Sequence, residues 1–407
     1  MENLYLEEAI AQILAVCKEP ANTEEIPVSQ AMGRILAEDI RAGFPIPPFP
    51  RSPLDGYALR SADTCGASPE SPVTLTVTET ILAGDTSRIP VSSGFCARIM
   101  TGAMIPESAD CVIRQEDTDL GEGQVEIYSS LSPYQNYCFA GEDTLAEEVV
   151  MRAGERLSYV HLGVLAGLGL CLVPVFVLPK IALITTGSEV VEPGLPLPAG
   201  KIYNSNLALL RARLESLGLP PFYAVHVGDS VSDCCEKIRQ AAAKGAQLIL
   251  TTGGVSVGQM DILHEVFSKL PARQIFWKVR CKPGSPALFG LYGSSLLLSL
   301  SGNPFAALAT FELLARPALA ALSGNPGLNL QPGRGTLVNG FDKKSPGRRF
   351  LRARYHDGLV SLPETKRHSS GMLGSALGCN CLVDIPAGSP PLPAGSPVSL
   401  FFLEPKD

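Results

Sequence analysis

Three short runs share one chemical character: T-T-G-S-E at 185–189, T-T-G-G-V-S at 251–256 and L-S-G-N-P at 300–304. In each, an apolar stretch stops and hydroxyls and glycines follow at once. Glycine lets the backbone approach a ligand and turn its N–H groups outward, and hydroxyls add donors. A helix starting just after such a loop adds partial positive charge suited to phosphate or another oxyanion. Any one of these runs is as readily an ordinary capped strand-to-helix turn; three together favour a binding edge. Carboxylates recur at loop positions: Asp55 in L-D-G-Y-A-L, Asp143 in A-G-E-D-T, Glu189, Asp229 in H-V-G-D-S, and Asp261. Each alone suits a turn or a helix cap. Brought together, they would form a hard, oxygen-rich site of the kind Mg²⁺ accepts beside a phosphate. Lys278 and Lys282 in W-K-V-R-C-K-P-G have even spacing, which on a strand puts both on one face. That face is either a ligand's or a solvated edge guarded by lysines.

The elements that must position these groups alternate. From Lys180, K-I-A-L-I-T-T-G reads as a buried strand, and N-S-N-L-A-L-L-R-A-R-L-E-S-L-G as a helix capped by Asn204 or Ser205 and stopped by Gly218. F-Y-A-V-H-V-G-D is another strand, S-D-C-C-E-K-I-R-Q-A-A-A-K-G another helix, Q-L-I-L-T-T-G-G a third strand and D-I-L-H-E-V-F-S-K-L the helix after it. S-L-L-L-S-L-S-G-N-P adds a strand, with a helix from about Phe305 to Leu322. This alternation predicts a parallel, doubly wound α/β sheet, whose ligands bind beyond the carboxyl ends of its strands. Before it, L-E-E-A-I-A-Q-I-L-A-V-C-K-E has helical spacing, and a proline-rich connector runs from Phe44 to Pro53. Short alternating strands fill about Val73 to Tyr128, a β-rich domain, and the chain beyond Gln331 is β-like again.

A chain of 407 residues is too long for one core. The net charge of −7 argues against general nucleic-acid binding, and an anionic small substrate needs local lysines or a metal ion to offset the field. Neither a G-x-x-x-x-G-K-[ST] loop nor a strand-linked G-x-G-x-x-G is present, so P-loop and dinucleotide readings lose their support. The 11 cysteines contain no C-x-x-C pair and read as free thiols of a reducing cytoplasm. Leu162 to Leu178 carries no charge, yet its glycines and Pro174 predict a helix from near Ser158, a glycine stop and a buried strand, not a membrane span.

In order along nearly the whole chain, R-S-P-L-D-G-Y-A-L, A-R-I-M-T-G-A-M-I-P, A-G-E-D-T, I-T-T-G-S-E-V, K-I-Y-N-S-N, T-T-G-G-V-S-V-G-Q-M-D, K-P-G-S-P-A-L-F-G, S-G-N-P-F-A and H-S-S-G-M-L resemble the molybdopterin molybdenumtransferases, the MoeA and gephyrin E-domain family. The resemblance implies a multidomain α/β plus β protein. Residues 1–26 would form a helix packing on the α/β domain, residues 27–45 and 146–177 a small linker domain, and residues 46–145 a β-rich insertion. Residues 178–325 would be a MogA-like molybdopterin-binding domain and residues 328–407 a C-terminal β domain. It further implies a cytoplasmic homodimer with its active site between subunits, supplied by a MogA-type adenylyltransferase and serving molybdoenzyme maturation proteins. The family reaction takes adenylylated molybdopterin and molybdate, cleaves the pyrophosphate link with Mg²⁺, and releases AMP.

On this likeness Thr186, Gly187, Ser188, Asn206, Thr252, Gly253, Gly254, Val255, Ser256, Gly302, Asn303 and Pro304 would hold the pterin nucleotide, with Arg352 and Ser370 from the C-terminal domain. Glu189, Asp229 and Asp261 would hold the metal, Asp55 and Asp143 would come from the other subunit, and Lys278 and Lys282 would face the anionic substrate or leaving group. Departures from the family pattern are Ser285 for a lysine and Ala306 for a serine associated with molybdate, Ser301 for a proline, Cys138 for an arginine, Asn204 for an aspartate and Gln259 for an acid. The changes at 285 and 306 raise an alternative: a divergent relative that binds molybdopterin without efficient insertion, serves as a scaffold, or prefers tungsten.

Overall fold

Four strands of the computed structural model run parallel because each is followed by a helix that carries the chain back. The structure describes residues 2–255, 262–364 and 368–404. The chain divides into two units, one of Met1–Ile26, Ala31–Ala37 and Pro174–Asp407, the other of Pro27–Gln30 and Glu38–Val173.

In the first unit a seven-stranded sheet has the order Glu2–Leu4, Arg273–Val279, Leu288–Tyr292, Ser295–Leu300, Leu248–Thr252, Ile181–Thr186, Tyr223–Val227. The last four in that order pair parallel in register, for example Thr185 with Thr252 and with His226. They form the expected doubly wound core. Leu288–Tyr292 instead pairs antiparallel with both neighbours, because the turn at Gly293 makes a hairpin with Ser295–Leu300. The chain passes from Ile181–Thr186 outward to Tyr223–Val227, then crosses back to Leu248–Thr252. Strand order reverses between Ile181–Thr186 and Leu248–Thr252, and the crevice beyond their carboxyl ends is where such sheets bind ligands.

The helices start and stop where their caps dictate. The Asn204 side chain accepts from Leu207 N at 3.1 Å to open helix Ser205–Ser216, and Ser230 accepts from Asp233 N at 3.3 Å to open Val231–Ala243. Helix Leu6–Leu14 buries Leu6, Ala9 and Ile13 in the same core as Leu210, Phe276 and Phe311. Pro304–Ser323 is long and apolar enough to cross a membrane, yet its apolar window is 83% buried in the fold. It is a core helix, broken by one π turn at Phe311–Ala315. Glu312 in that turn is 1% exposed and meets Arg213 at 2.7 Å and Arg316 at 2.9 Å. Glu312→Ala would leave the buried Arg316 guanidinium without a carboxylate and Arg213 with only Glu404, so it is expected to cost about 3–5 kcal/mol, read as a lower urea midpoint with an unchanged slope.

Residues 331–402 close a five-stranded barrel, in the order Gln331–Leu337, Leu359–Ser361, Arg349–His356, Cys381–Ile385, Pro397–Phe402. Its core includes Phe341, Leu351, Val383 and Leu400. The second unit holds a five-stranded sheet in the order Cys111–Arg114, Gly56–Leu59, Phe95–Ile99, Val73–Ile81, Gln124–Ile127, with Tyr57, Leu75 and Val125 buried on one face and Ala58, Ile81 and Ile99 on the other. The uncharged stretch is helix Tyr159–Gly167, a turn at Gly169 and strand Leu172–Phe176, which is only half buried because Leu172 lies exposed. All 11 cysteines are free thiols.

Candidate functional site

The three glycine-hydroxyl loops converge. Thr186, Gly187 and Glu189 from the first, Thr252, Gly253, Gly254 and Val255 from the second, and Gly302, Asn303 and Pro304 from the third line one cavity of about 1100 Å³ in the first unit. The glycines permit this approach. Gly253 has φ +93°, and a Cβ on it would lie 2.6 Å from the Thr186 carbonyl oxygen; a Cβ on Gly302 would lie 3.2 Å from Gly253 Cα. The strand ends are thus packed backbone to backbone, and larger residues would force them apart.

Side chains fix the rim. Asp229 accepts from Ser188 N at 2.8 Å while Ser188 Oγ accepts from Asp229 N at 2.9 Å, a reciprocal tie between adjacent strand ends. Ser188 itself is exposed and does not line the cavity; Glu189 and Asp229 do. Asn204 donates to Thr185 Oγ1 at 3.0 Å and to Glu192 at 3.1 Å, which an aspartate could not do. Asn206 donates to the Gly302 carbonyl at 2.8 Å, leaving its Oδ1 buried without a partner, as is the Thr252 hydroxyl. Buried polar atoms are nearly always satisfied, so such orphans on a cavity wall suit the polar edges of a ligand.

The opposite wall comes from the K-P-G-S-P loop and the barrel: Lys282, Ser285, Lys343, Arg349, His368 and Ser370. Gly284, at φ +89°, presses this loop on the core helix, where a Cβ would meet Thr310 Cγ2 at 2.1 Å and lie 3.3 Å from the Ala306 carbonyl oxygen. Ser285 and Ala306 therefore do line one cavity, and neither carries charge there. Burial, followed by the nearby charges of Arg352, Lys343 and Arg349, holds the His368 imidazole below its usual pKa, against a backbone hydrogen bond at Pro363.

Several expected site residues sit elsewhere. Lys278 is not on the cavity wall. A positive φ of 67° interrupts the strand's alternation there, and its ammonium lies over the Trp277 ring at 3.9 Å, while Lys282 falls beyond the end of the strand at Val279. The two lysines do not share a strand, so their even spacing does not put them on one face. Arg352 is also absent from the wall. Its side chain is buried, stacks 3.9 Å from the Phe305 ring and donates to Ser369 O at 3.1 Å, so it supports the Ser369–Ser370 segment from behind. Asp55 and Asp143, expected to serve the site of the other subunit, belong to the second unit, where Asp55 accepts from Thr101 N and Oγ1, both at 2.7 Å. Those Thr101 hydrogen bonds hold the Asp55 carboxyl below its usual pKa. Ser256 and Asp261 lie outside the described residues. Lys343, Arg349, His368 and Asn204 had no expected ligand role; only the cap signal of Asn204 was visible.

The MoeA N-terminal region (domain I and II) matches residues 4–169, a probable molybdopterin binding domain matches 182–321, and the MoeA C-terminal region (domain IV) matches 334–403. The chain is 35% identical over 382 residues to a molybdopterin molybdenumtransferase of Staphylococcus aureus, covering 93% of this chain and 91% of the relative. The chain belongs to the molybdopterin molybdenumtransferase family. A Staphylococcus epidermidis member is 34% identical over 404 residues, covering 98% of this chain and 96% of its own. The crystal structure of the MoeA molybdopterin biosynthesis protein of Pyrococcus horikosii has 29% identity and a TM-score of 0.87, covering 99% of this chain and 100% of that one. A second Pyrococcus MoeA structure has 30% identity and a TM-score of 0.82, covering 98% of this chain and 100% of its own. Membership makes the protein a transferase of molybdenum-cofactor biosynthesis, in which the glycine-lined edge described above falls inside the molybdopterin binding domain.

Proposed function

We propose that the cavity binds adenylylated molybdopterin and that the protein transfers molybdenum from molybdate to its dithiolene, with cleavage of the pyrophosphate link and release of AMP. One observation carries the reading: the amide-rich edge, two carboxylates and a cationic wall meet in one cavity of about 1100 Å³. A molecule with a polar ring at one end and phosphates at the other fits that polarity. Thr186, Thr252, Asn206 and the glycine amides bind its polar groups, and Lys282 receives its negative charge.

Mg²⁺ suits the donor set. Among the described residues no group of three or more His, Cys, Asp or Glu could hold a metal, and Asp261, the third expected metal carboxylate, lies outside them. Glu189 and Asp229 are the carboxylates of the cavity wall, and Mg²⁺ binds through one or two carboxylates together with substrate phosphates. Bound there it would neutralise charge on the phosphates as the anhydride breaks. Glu189 and Asp229 would hold it, and the Ser188–Asp229 tie keeps the second of them oriented.

The reading includes a cytoplasmic homodimer in which Asp55 and Asp143 of the partner subunit complete the site. Supporting it, helix Tyr159–Gly167 is apolar yet leaves Tyr159 78% and Val160 56% exposed, a surface that a second copy would cover. The substrate's chemistry calls for a MogA-type adenylyltransferase before this step and molybdoenzyme maturation proteins after it. The purified protein with adenylylated molybdopterin, Mg²⁺ and molybdate should release AMP and yield active cofactor. Mixed dimers of Asp55→Asn and Asp229→Asn chains should recover part of the activity each lacks alone. Neutral Ser285 and Ala306 on the wall favour a second reading, a divergent relative that binds the nucleotide without inserting molybdenum. Binding with only background AMP release would select it; tungstate in place of molybdate tests the remaining choice of metal.

A further inference from the structure

Neighbouring arginines at the start of barrel strand Arg349–His356 have opposite fates. Arg348 is fully engaged, donating to both carboxylate oxygens of Asp384 at 2.9 and 2.7 Å and pairing with Glu7. Arg349 faces the cavity, and among the described residues no carboxylate lies within ion-pair distance of it, of Lys282 or of Lys343. Its Nε is buried without a hydrogen bond, as is His368 Nδ1. Both groups flank one buried ring: the Arg349 guanidinium lies 5.4 Å from the Phe341 centroid, and the His368 ring stands edge-on to it at 5.7 Å and 88°.

The backbone sets where this cluster stands. Lys282 N donates to Arg348 O at 2.9 Å and Phe350 N to Lys282 O at 2.7 Å, bracketing Arg349 and pairing it with Lys282. The cations thus gather beside the loop that bears Ser285, whose own side chain contributes no charge. Three cations without carboxylate partners on one cavity wall repel one another, and a buried unpaired donor costs free energy that an anion would recover. Glu189 and Asp229, which also line the cavity, repel an anion that no metal ion bridges to them, so the cationic wall is the place for a free oxyanion.

We infer that Arg349 and His368, which flank Phe341, form together with Lys343 on the same cavity wall the subsite for a tetrahedral oxyanion. The inference deepens the proposed function and rests on it for the oxyanion's use, not for its binding. Arg349 is the specificity-determining residue, since its planar fork can give two parallel hydrogen bonds to one oxyanion. Lys343 adds charge, and His368 limits the width of the subsite.

The test is equilibrium dialysis of the intact protein with molybdate alone, at fixed pH and ionic strength, with Arg349→Gln and Lys343→Gln. Each variant is expected to raise the molybdate Kd about tenfold, the loss of one charge-assisted hydrogen bond. Under turnover, each should raise KM for molybdate while kcat changes by less than about threefold. Lys343 is exposed, so its replacement leaves the barrel core intact and keeps the test meaningful if Arg349→Gln fails to fold. Inorganic phosphate as competitor separates two sources of the same chemistry. Displacement of molybdate at equal concentration assigns the subsite to a phosphate of the pterin nucleotide, and retention assigns it to the metal oxyanion; both outcomes support the subsite. Unchanged Kd in both variants, or no molybdate binding by the unaltered protein, overturns it. AMP release in the presence of the nucleotide is a separate measurement, so failure of the subsite and failure of the proposed reaction are told apart.

Discussion

Replacing Asp229 with asparagine is expected to lower AMP release by about a hundredfold or more and to raise the Mg²⁺ concentration needed for half-maximal rate. The two effects have one cause. Asparagine keeps the size of aspartate and an oxygen that can still accept from Ser188 N, so the tie that holds the two strand ends survives. Charge is what disappears, and it disappears from the carboxylate wall of the cavity. Stability is therefore expected to change by less than about 0.5 kcal/mol, as for substitutions that leave packing intact. A normal rate at limiting Mg²⁺ would remove Asp229 from the proposed metal site. A rate loss accompanied by a large fall in the urea midpoint would show instead that the residue acts only through the Ser188 tie.

A residue's place in the fold is legible in the sequence where its signal is local. The strands and helices of the parallel core follow from periodicity and caps within a dozen residues, and the three rim loops declare themselves by glycine and hydroxyl at strand ends. The N-terminal strand Glu2–Leu4 is too short to show a period, and Leu288–Tyr292 pairs antiparallel through a turn that interrupts an apolar run. The cationic wall was illegible for a different reason. Lys343 and Arg349 reach the cavity only because the barrel closes and its first turns lie against the K-P-G-S-P loop, and a charge on a short strand ordinarily means solvent. Lys278 misled through a single backbone angle, since alternation fails at φ 67°. Arg352 misled because a buried arginine can support a wall from behind as well as stand on it.

Gly253→Ala is expected to abolish tight binding of the pterin nucleotide, weakening it by about a hundredfold or more, the usual scale for an ångström of misplacement in a site. Two costs act at once. At φ +93° an alanine is strained by about 1–3 kcal/mol wherever it is. Its Cβ would in addition lie 2.6 Å from the Thr186 carbonyl oxygen and 2.7 Å from Thr186 Oγ1. A carbonyl at the end of a central strand cannot swing aside, so the two loops must separate. Gly302 rests against Gly253 Cα, and its loop moves with them. Gly293→Ala isolates the first cost. That glycine also has positive φ, +59°, but nothing lies within 4 Å of its added Cβ, and it is on the hairpin away from the cavity. It should lose about 1 kcal/mol of stability, measured by urea denaturation, and bind the nucleotide as before. Nucleotide binding by Gly253→Ala equal to that of Gly293→Ala would mean that the close approach of the strand ends has no part in holding the ligand. A selective loss at 253 ties the glycine-rich run to contact between backbones, because backbone strain alone is common to both substitutions.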